Sequence, residues 1–233
     1  MANKKSEKLP LEAALESSQE VVKRLAQSEI LADIPGIGLA FKICKAVDSI
    51  RDRLFLAKLA TFMEGLESLG EEGRSAWRKK MAADPEETQR TGEALLLVID
   101  NLTEVEKAEI ASYLFVSYLD LKISAPEFRR LLAVIDKVFL DDIKGFFSPI
   151  YVKLGTAVPL FKWEPALVAA GLLIPSVEKP TIQDENKRSG IVFGFPDDNQ
   201  TGITYQTTQL GDLMRKAYMH GFMKVAAAYG AKG

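Results

Sequence analysis

The chain has 233 residues, 47% of them hydrophobic and 27% charged, with a formal net charge of −2. It holds one histidine, His220, and one cysteine, Cys44. Those two counts exclude, within one chain, a disulfide framework, a four-thiolate iron–sulfur centre and a His/Cys structural zinc site, which needs about four such ligands.

The length suits one large domain or two small ones and is enough for a real core. Near-neutral charge argues against coating nucleic acid through bulk electrostatics. No apolar core follows the basic start Met1–Lys5, so no secretory signal is expected. The longest uncharged apolar run, Pro165 to Val177, contains a glycine and two prolines and falls short of the ~20 residues a spanning helix needs. A cytoplasmic protein is the expectation, peripheral at the inner membrane face in the second of the readings given below. Charge is uneven: residues 64–150 carry 17 acidic and 11 basic side chains, a poor place for a phosphate-binding surface.

In chain order, residues 1–9 read as a solvated tail. Leu11, Ala14, Leu15, Val21, Val22 and Leu25 recur at helical spacing and predict an amphipathic helix closed by Pro35-Gly36. A long helix is predicted from about Leu39 to Leu69. Its seam of Ile43, Val47, Ile50, Leu54 and Ala57 alternates steps of four and three, as in a coiled coil. Phe55, Leu59 and Phe62 widen that stripe.

Three helix starts carry capping signals: Asp84-Pro85-Glu86-Glu87, Thr103-Glu104-Val105-Glu106 and Ser124-Ala125-Pro126-Glu127. Apolar helical patterns follow at Leu95–Ile99, Ile110–Leu119 and Phe128–Phe139. The last is expected to bury Leu131, Leu132, Ile135, Val138 and Phe139. The basic run Arg74, Arg78, Lys79 and Lys80 sits among Glu71, Glu72 and Asp84 and reads as a solvated helix end.

Composition changes after Ser148, and six of the ten prolines fall between Pro149 and Pro196. A short helix is expected over Trp163–Ala170, then strands at Leu172–Ile174 and Ile203–Gln206, with Ile191–Phe195 as a possible extra strand. Thr207 or Thr208 caps a final helix through Leu210, Leu213, Met214, Ala217, Phe222 and Val225. The fold class is therefore mainly α. Residues 1–33 form a tail and amphipathic helix, 34–148 a multi-helix bundle, and 149–233 a smaller α+β domain with a long wing or loop over 175–202.

Leu167, Ala170, Gly171, Leu172 and Leu173, followed by Tyr205, Thr207, Thr208, Leu210 and Gly211, resemble the second half of a winged helix-turn-helix module. The resemblance covers residues of about 160–225 and implies a winged fold that serves either DNA or protein contact. Ser49–Leu59, Gly92–Leu97 and Lys122-Ile123-Ser124 are similar to segments of an uncharacterised family of small helical bacterial proteins. That likeness implies a bacterial origin linked to mobile or antiviral-defence genes, and carries over no catalytic residue.

The recognition helix of a DNA-binding wing presents Arg, Lys or Asn. Here the candidate contacts are only Lys162, Lys187 and Arg188, and the span 177–198 carries a net charge of −2. Ile37, Leu39 and Phe41, feeding Lys42, Lys45, Arg51 and Arg53, give an apolar segment entering a basic helix, the character of an interaction or interfacial membrane surface. Arg51-Asp52-Arg53 reads as a buried ion pair at a helix crossing, as a solvated stripe, or as an anionic-ligand site. Cys44 reads as a small core hydrophobe and His220 as a packed or half-exposed helix residue. No catalytic constellation, cofactor loop or metal site is predicted. The leading reading is a non-enzymatic protein-interaction or regulatory protein whose partner is another protein or a second copy. A membrane-acting effector using residues 31–63 stands second, and a DNA-binding regulator third.

Overall fold

The computed structural model describes residues 50–67, 70–148, 164–177 and 203–230. The described chain is mainly helical, with one two-stranded antiparallel sheet. One compact unit runs to Leu140 and takes in Met214 onward; Asp141–Leu213 forms the other.

The first unit is built round α4 (Glu106–Leu119), whose residues are buried on every side except at Glu106 and Glu109. A helix apolar all round belongs in the middle of a bundle, and Ile110, Ala111, Leu114, Phe115 and Val116 give α4 that character. α1 (Ile50–Glu67) packs along it. α2 (Gly70–Ala83), α3 (Pro85–Asn101) and α5 (Ala125–Lys137) complete the surround.

The predicted seam of α1 is corrected. Ile50 and Leu54 are exposed, at 69% and 53%; the widening positions Phe55, Leu59 and Phe62 are buried as expected, together with Leu56, Met63 and Leu66. The buried face carries the aromatic rings, and that of Phe62 meets Phe115 edge-on at 5.5 Å. The described helix begins at Ile50; the expected first half, with Ile43 and Val47, lies outside the described residues.

Two of the three capping signals act as read. Asp84 accepts the Glu87 N–H at 3.0 Å, with Pro85 opening α3. Ser124 and Glu127 form a reciprocal capping box at the start of α5. Thr103 does not cap α4. The N-cap position is Val105, which gives no side-chain hydrogen bond. Thr103 instead accepts from the buried Lys107, at 3.4 Å. Phe139 is also corrected: it is 73% exposed. Val138 leaves the helix in extended conformation, so the next residue no longer follows the helical face.

α4 ends in a paired turn. The Lys122 N–H donates to the Ser117 carbonyl at 2.9 Å and the Leu121 N–H to the Tyr118 carbonyl at 3.2 Å. This is the Schellman arrangement, in which the residue after the cap turns left-handed and is usually glycine. Here it is Leu121, at φ 58, with its side chain 78% exposed.

α8 (Gln209–Gly230) gives its residues from Met214 onward to this unit. It meets α4 at Ala217 and Gly221, and it buries Met214 and Val225. Gly221 makes the close approach possible: a Cβ there would stand 2.0 Å from the Tyr113 carbonyl oxygen. The Ser117 hydroxyl donates to the Ala217 carbonyl at 2.5 Å.

In the second unit, most of α6 (Leu140–Phe147) is followed by α7 (Glu164–Ala169) and by strands β1 (Leu173–Val177) and β2 (Ile203–Thr207). The strands pair with Leu173 opposite Thr207 and Val177 opposite Ile203. Gly171, at φ +78, ends α7 as expected for a glycine stop. The expected strand at Ile191–Phe195 lies outside the described residues.

Candidate functional site

Ile37, Leu39, Phe41, Lys42 and Lys45 lie outside the described residues, as do Lys162, Lys187, Arg188 and Cys44. Of the predicted surface, Arg51 and Arg53 are described. The Arg51 guanidinium, largely exposed, meets the Asp100 carboxylate at 2.6 Å, and this hydrogen bond raises its pKa further. The pair joins α1 to the end of α3, but at the surface and not buried as that expectation had it. One helix turn on, buried Lys58 donates to the carbonyls of Asp100 and Leu102 at 2.6 and 2.9 Å. A cation on the last carbonyls of α3 complements the negative end of the helix dipole. Burial lowers the Lys58 pKa.

His220 has a partner one hundred residues away. Its Nε2 lies 2.8 Å from Asp120 Oδ2. Lys224, four residues on along α8, donates to both oxygens of the same carboxylate at 2.6 Å. Burial alone would raise the Asp120 pKa, but the hydrogen bonds from Lys224 and His220 outweigh it and hold the carboxyl below the usual range. A carboxyl of this kind contributes stability above its unfolded pKa, and the contribution is lost as pH falls through the folded value. Asp120→Asn is therefore expected to destabilise the chain at pH 7 by about 1 kcal/mol, with screening allowed for. The difference should close below about pH 4. Thermal melts of both proteins from pH 7 to 2.5 check this, and an unchanged difference throughout would overturn it.

Around that cluster, Asp120, Lys122, Met219, His220, Met223 and Lys224 line a shallow, open depression of about 770 Å³. Met219 and Met223 are four apart on α8, hence neighbours on one face, and are 46% and 61% exposed. Phe222, partly exposed, stands between them in sequence and packs edge-on against Tyr113.

A second cavity, of about 420 Å³, also has Lys122 in its lining. Lys80 lines it, with Tyr118 and the turn and capping residues Leu121–Ala125. The Lys80 Nζ stands 3.3 Å from the Tyr118 ring centroid and donates to the Tyr118 carbonyl at 2.5 Å. Burial lowers its pKa to about 8. The basic run read as a solvated helix end is therefore corrected at one position: Arg78 and Lys79 are exposed, whereas Lys80 turns inward. The signal available in sequence is Trp77, three residues earlier on the same helix face and 3% exposed.

Among the described residues, no group of three or more His, Cys, Asp or Glu side chains is placed to hold a metal ion. No described helix is long and apolar enough to cross a membrane. Compared with family models, curated proteins and solved structures, the chain gives no match in any of the three.

Proposed function

We propose that this chain is a non-enzymatic protein-interaction module, and that it docks an acidic, apolar-faced helical segment of a partner protein on the Met219–Met223 face of α8. The observation that carries the reading is this pair of exposed methionines with Lys122 and Lys224 around one depression. Methionine is unbranched and polarizable, and it repacks against varied apolar surfaces. Apolar anchors one helix turn apart are what a helix laid in a groove requires. The charge of Asp120 is met by Lys224 and His220, so Lys122 leaves the rim with a positive excess that favours an acidic occupant.

A joint in the second unit supports a winged-helix-like reading of residues of about 160–225, serving as a structural or protein-contact piece. The Thr208 hydroxyl accepts the Gly211 N–H at 3.0 Å and donates to the Gly171 carbonyl at 2.6 Å, tying the closing helix to the turn after α7. A Cβ at Gly211 would stand 2.3 Å from the Leu172 carbonyl oxygen, so that joint needs its glycine.

A fluorescently labelled peptide tests the docking surface. It has about sixteen residues, with leucine at helical i, i+3, i+4 and i+7 positions and glutamate elsewhere. Micromolar binding by anisotropy is expected, weakened at least tenfold (about 1.4 kcal/mol) by Met223→Glu. A lysine-for-glutamate version of the peptide should not bind. Absence of binding, equal binding of both peptides, or indifference to Met223→Glu would each sink the reading.

A further inference from the structure

The 420 Å³ cavity beside Tyr118 is lined by three carboxylates and two lysines, and their partners divide sharply. Each carboxylate is committed within the fold. Asp84 accepts the Glu87 N–H. Glu87 holds Arg129 at 2.6 Å. Glu127 accepts both the N–H and the hydroxyl of Ser124, each at 2.7 Å. Among the described residues, neither lysine has a carboxylate partner. Lys122 is exposed at the cavity mouth. Lys80, half-buried, has only a carbonyl oxygen and a ring face.

A half-buried ammonium without a counter-ion is a costly group, because burial removes water that neither a neutral carbonyl nor a ring quadrupole fully replaces. Its lowered pKa has burial as its only cause, so no neighbouring charge supplies the compensation. The space beside it is within the size range of small-molecule sites and is walled by apolar and polar groups together: Leu121, Ile123 and Ala125 with Thr88 and Ser124. The cavity thus has room for a small molecule and two cations able to meet an anionic group on it.

We infer that this cavity binds a small organic anion, a carboxylate or phosphate ester with an apolar body, and that Lys80 and Lys122 are its cationic contacts. The anion supplies the counter-charge that Lys80 lacks, and the apolar body rests against Leu121, Ile123 and Ala125. This inference stands apart from the docking surface on α8 and shares with it only Lys122.

Lysine-by-lysine acylation of the intact chain tests it, and its first readout needs no variant. The protein is treated with limiting N-hydroxysuccinimidyl acetate between pH 7 and 10, and each lysine's modification rate is read by peptide mass spectrometry. Phenyl phosphate and benzoate, each at up to 10 mM, are the two probes, and they separate a phosphate-type from a carboxylate-type ligand. One or both should slow acylation of Lys80 at least fivefold, with saturation, while exposed Lys79 and Lys216 keep their rates. Lys122→Gln should weaken that protection, and Met223→Glu should leave it intact even if peptide docking is lost. Unchanged Lys80 rates with both probes, or an equal slowing of every lysine, would overturn the inference.

Discussion

Replacing Phe115 by alanine should cost about 3–5 kcal/mol of folding stability, the range for truncating a fully buried aromatic. Phe115 is 1% exposed and stands at the middle of the first unit. Its ring meets Phe62 of α1 at 5.5 Å, Trp77 of α2 at 5.2 Å, Tyr118 of its own helix at 5.9 Å and Phe128 of α5 at 5.6 Å. Four helices therefore lose one shared neighbour, and edge-to-face pairs add about 0.5–1.5 kcal/mol each beyond burial. The surrounding rings are large and hold one another, as in the stacked Tyr118–Phe128 pair at 5.2 Å, so collapse into the space is restricted. Urea unfolding followed by circular dichroism gives the number. Phe139→Ala is the control: at 73% exposure it should change stability by less than about 0.5 kcal/mol. A Phe115→Ala cost under about 1.5 kcal/mol would mean that the hub is not the organising contact of this bundle.

The contrast between those two phenylalanines marks how far the sequence could be read. Capping chemistry is local, so Asp84 and the Ser124–Glu127 box were visible in four-residue windows and act as read. The two strands and the glycine stop at Gly171 were legible for the same reason. Helix faces were less so. A coiled-coil seam through Ile50 and Leu54 and a burial stripe extended to Phe139 both assume that a pattern continues, and both fail where a larger side chain or an early helix end intervenes. Thr103 fails differently, because a cap needs the chain to enter the helix directly, and here the turn serves Lys107 instead.

The candidate sites were least legible, since each joins residues distant in sequence. His220 and Asp120 are one hundred positions apart, and Lys80 and Tyr118 thirty-eight. No spacing rule connects such pairs. Lysine is a particular difficulty: Lys80 and Lys107 come from charged stretches that look solvated and Lys58 interrupts an apolar one, yet each carries its ammonium inward to a carbonyl or hydroxyl oxygen. A long alkyl stem makes this possible, since it packs as a hydrophobe while the head finds an acceptor.

The glycine at position 221 is where fold and proposed function meet, and Gly221→Ala should separate them. In an exposed helix interior this change would stabilise by about 1 kcal/mol through helix propensity alone. Here the new methyl would lie 2.0 Å from the Tyr113 carbonyl oxygen and 2.5 Å from its carbon. Backbone atoms cannot rotate aside as a side chain end can, so α8 must move away from α4. Overpacking of this kind costs about 1–3 kcal/mol. The displacement also stretches what the approach holds together: the Ser117–Ala217 hydrogen bond, the Tyr113 contacts with Tyr218 and Phe222, and the Asp120 contacts with His220 and Lys224. Steric and contact losses exceed the propensity gain, and a net destabilisation of about 2 kcal/mol is expected. Hydrogen exchange should localise it: amides of residues 214–230 lose protection, while those of α4 around Phe115 keep theirs. Peptide docking should weaken alongside, because Met219 and Met223 no longer hold their place beside Lys122. An equal or higher melting temperature, or full protection of residues 214–230, would show that α8 does not rest on α4 through this glycine.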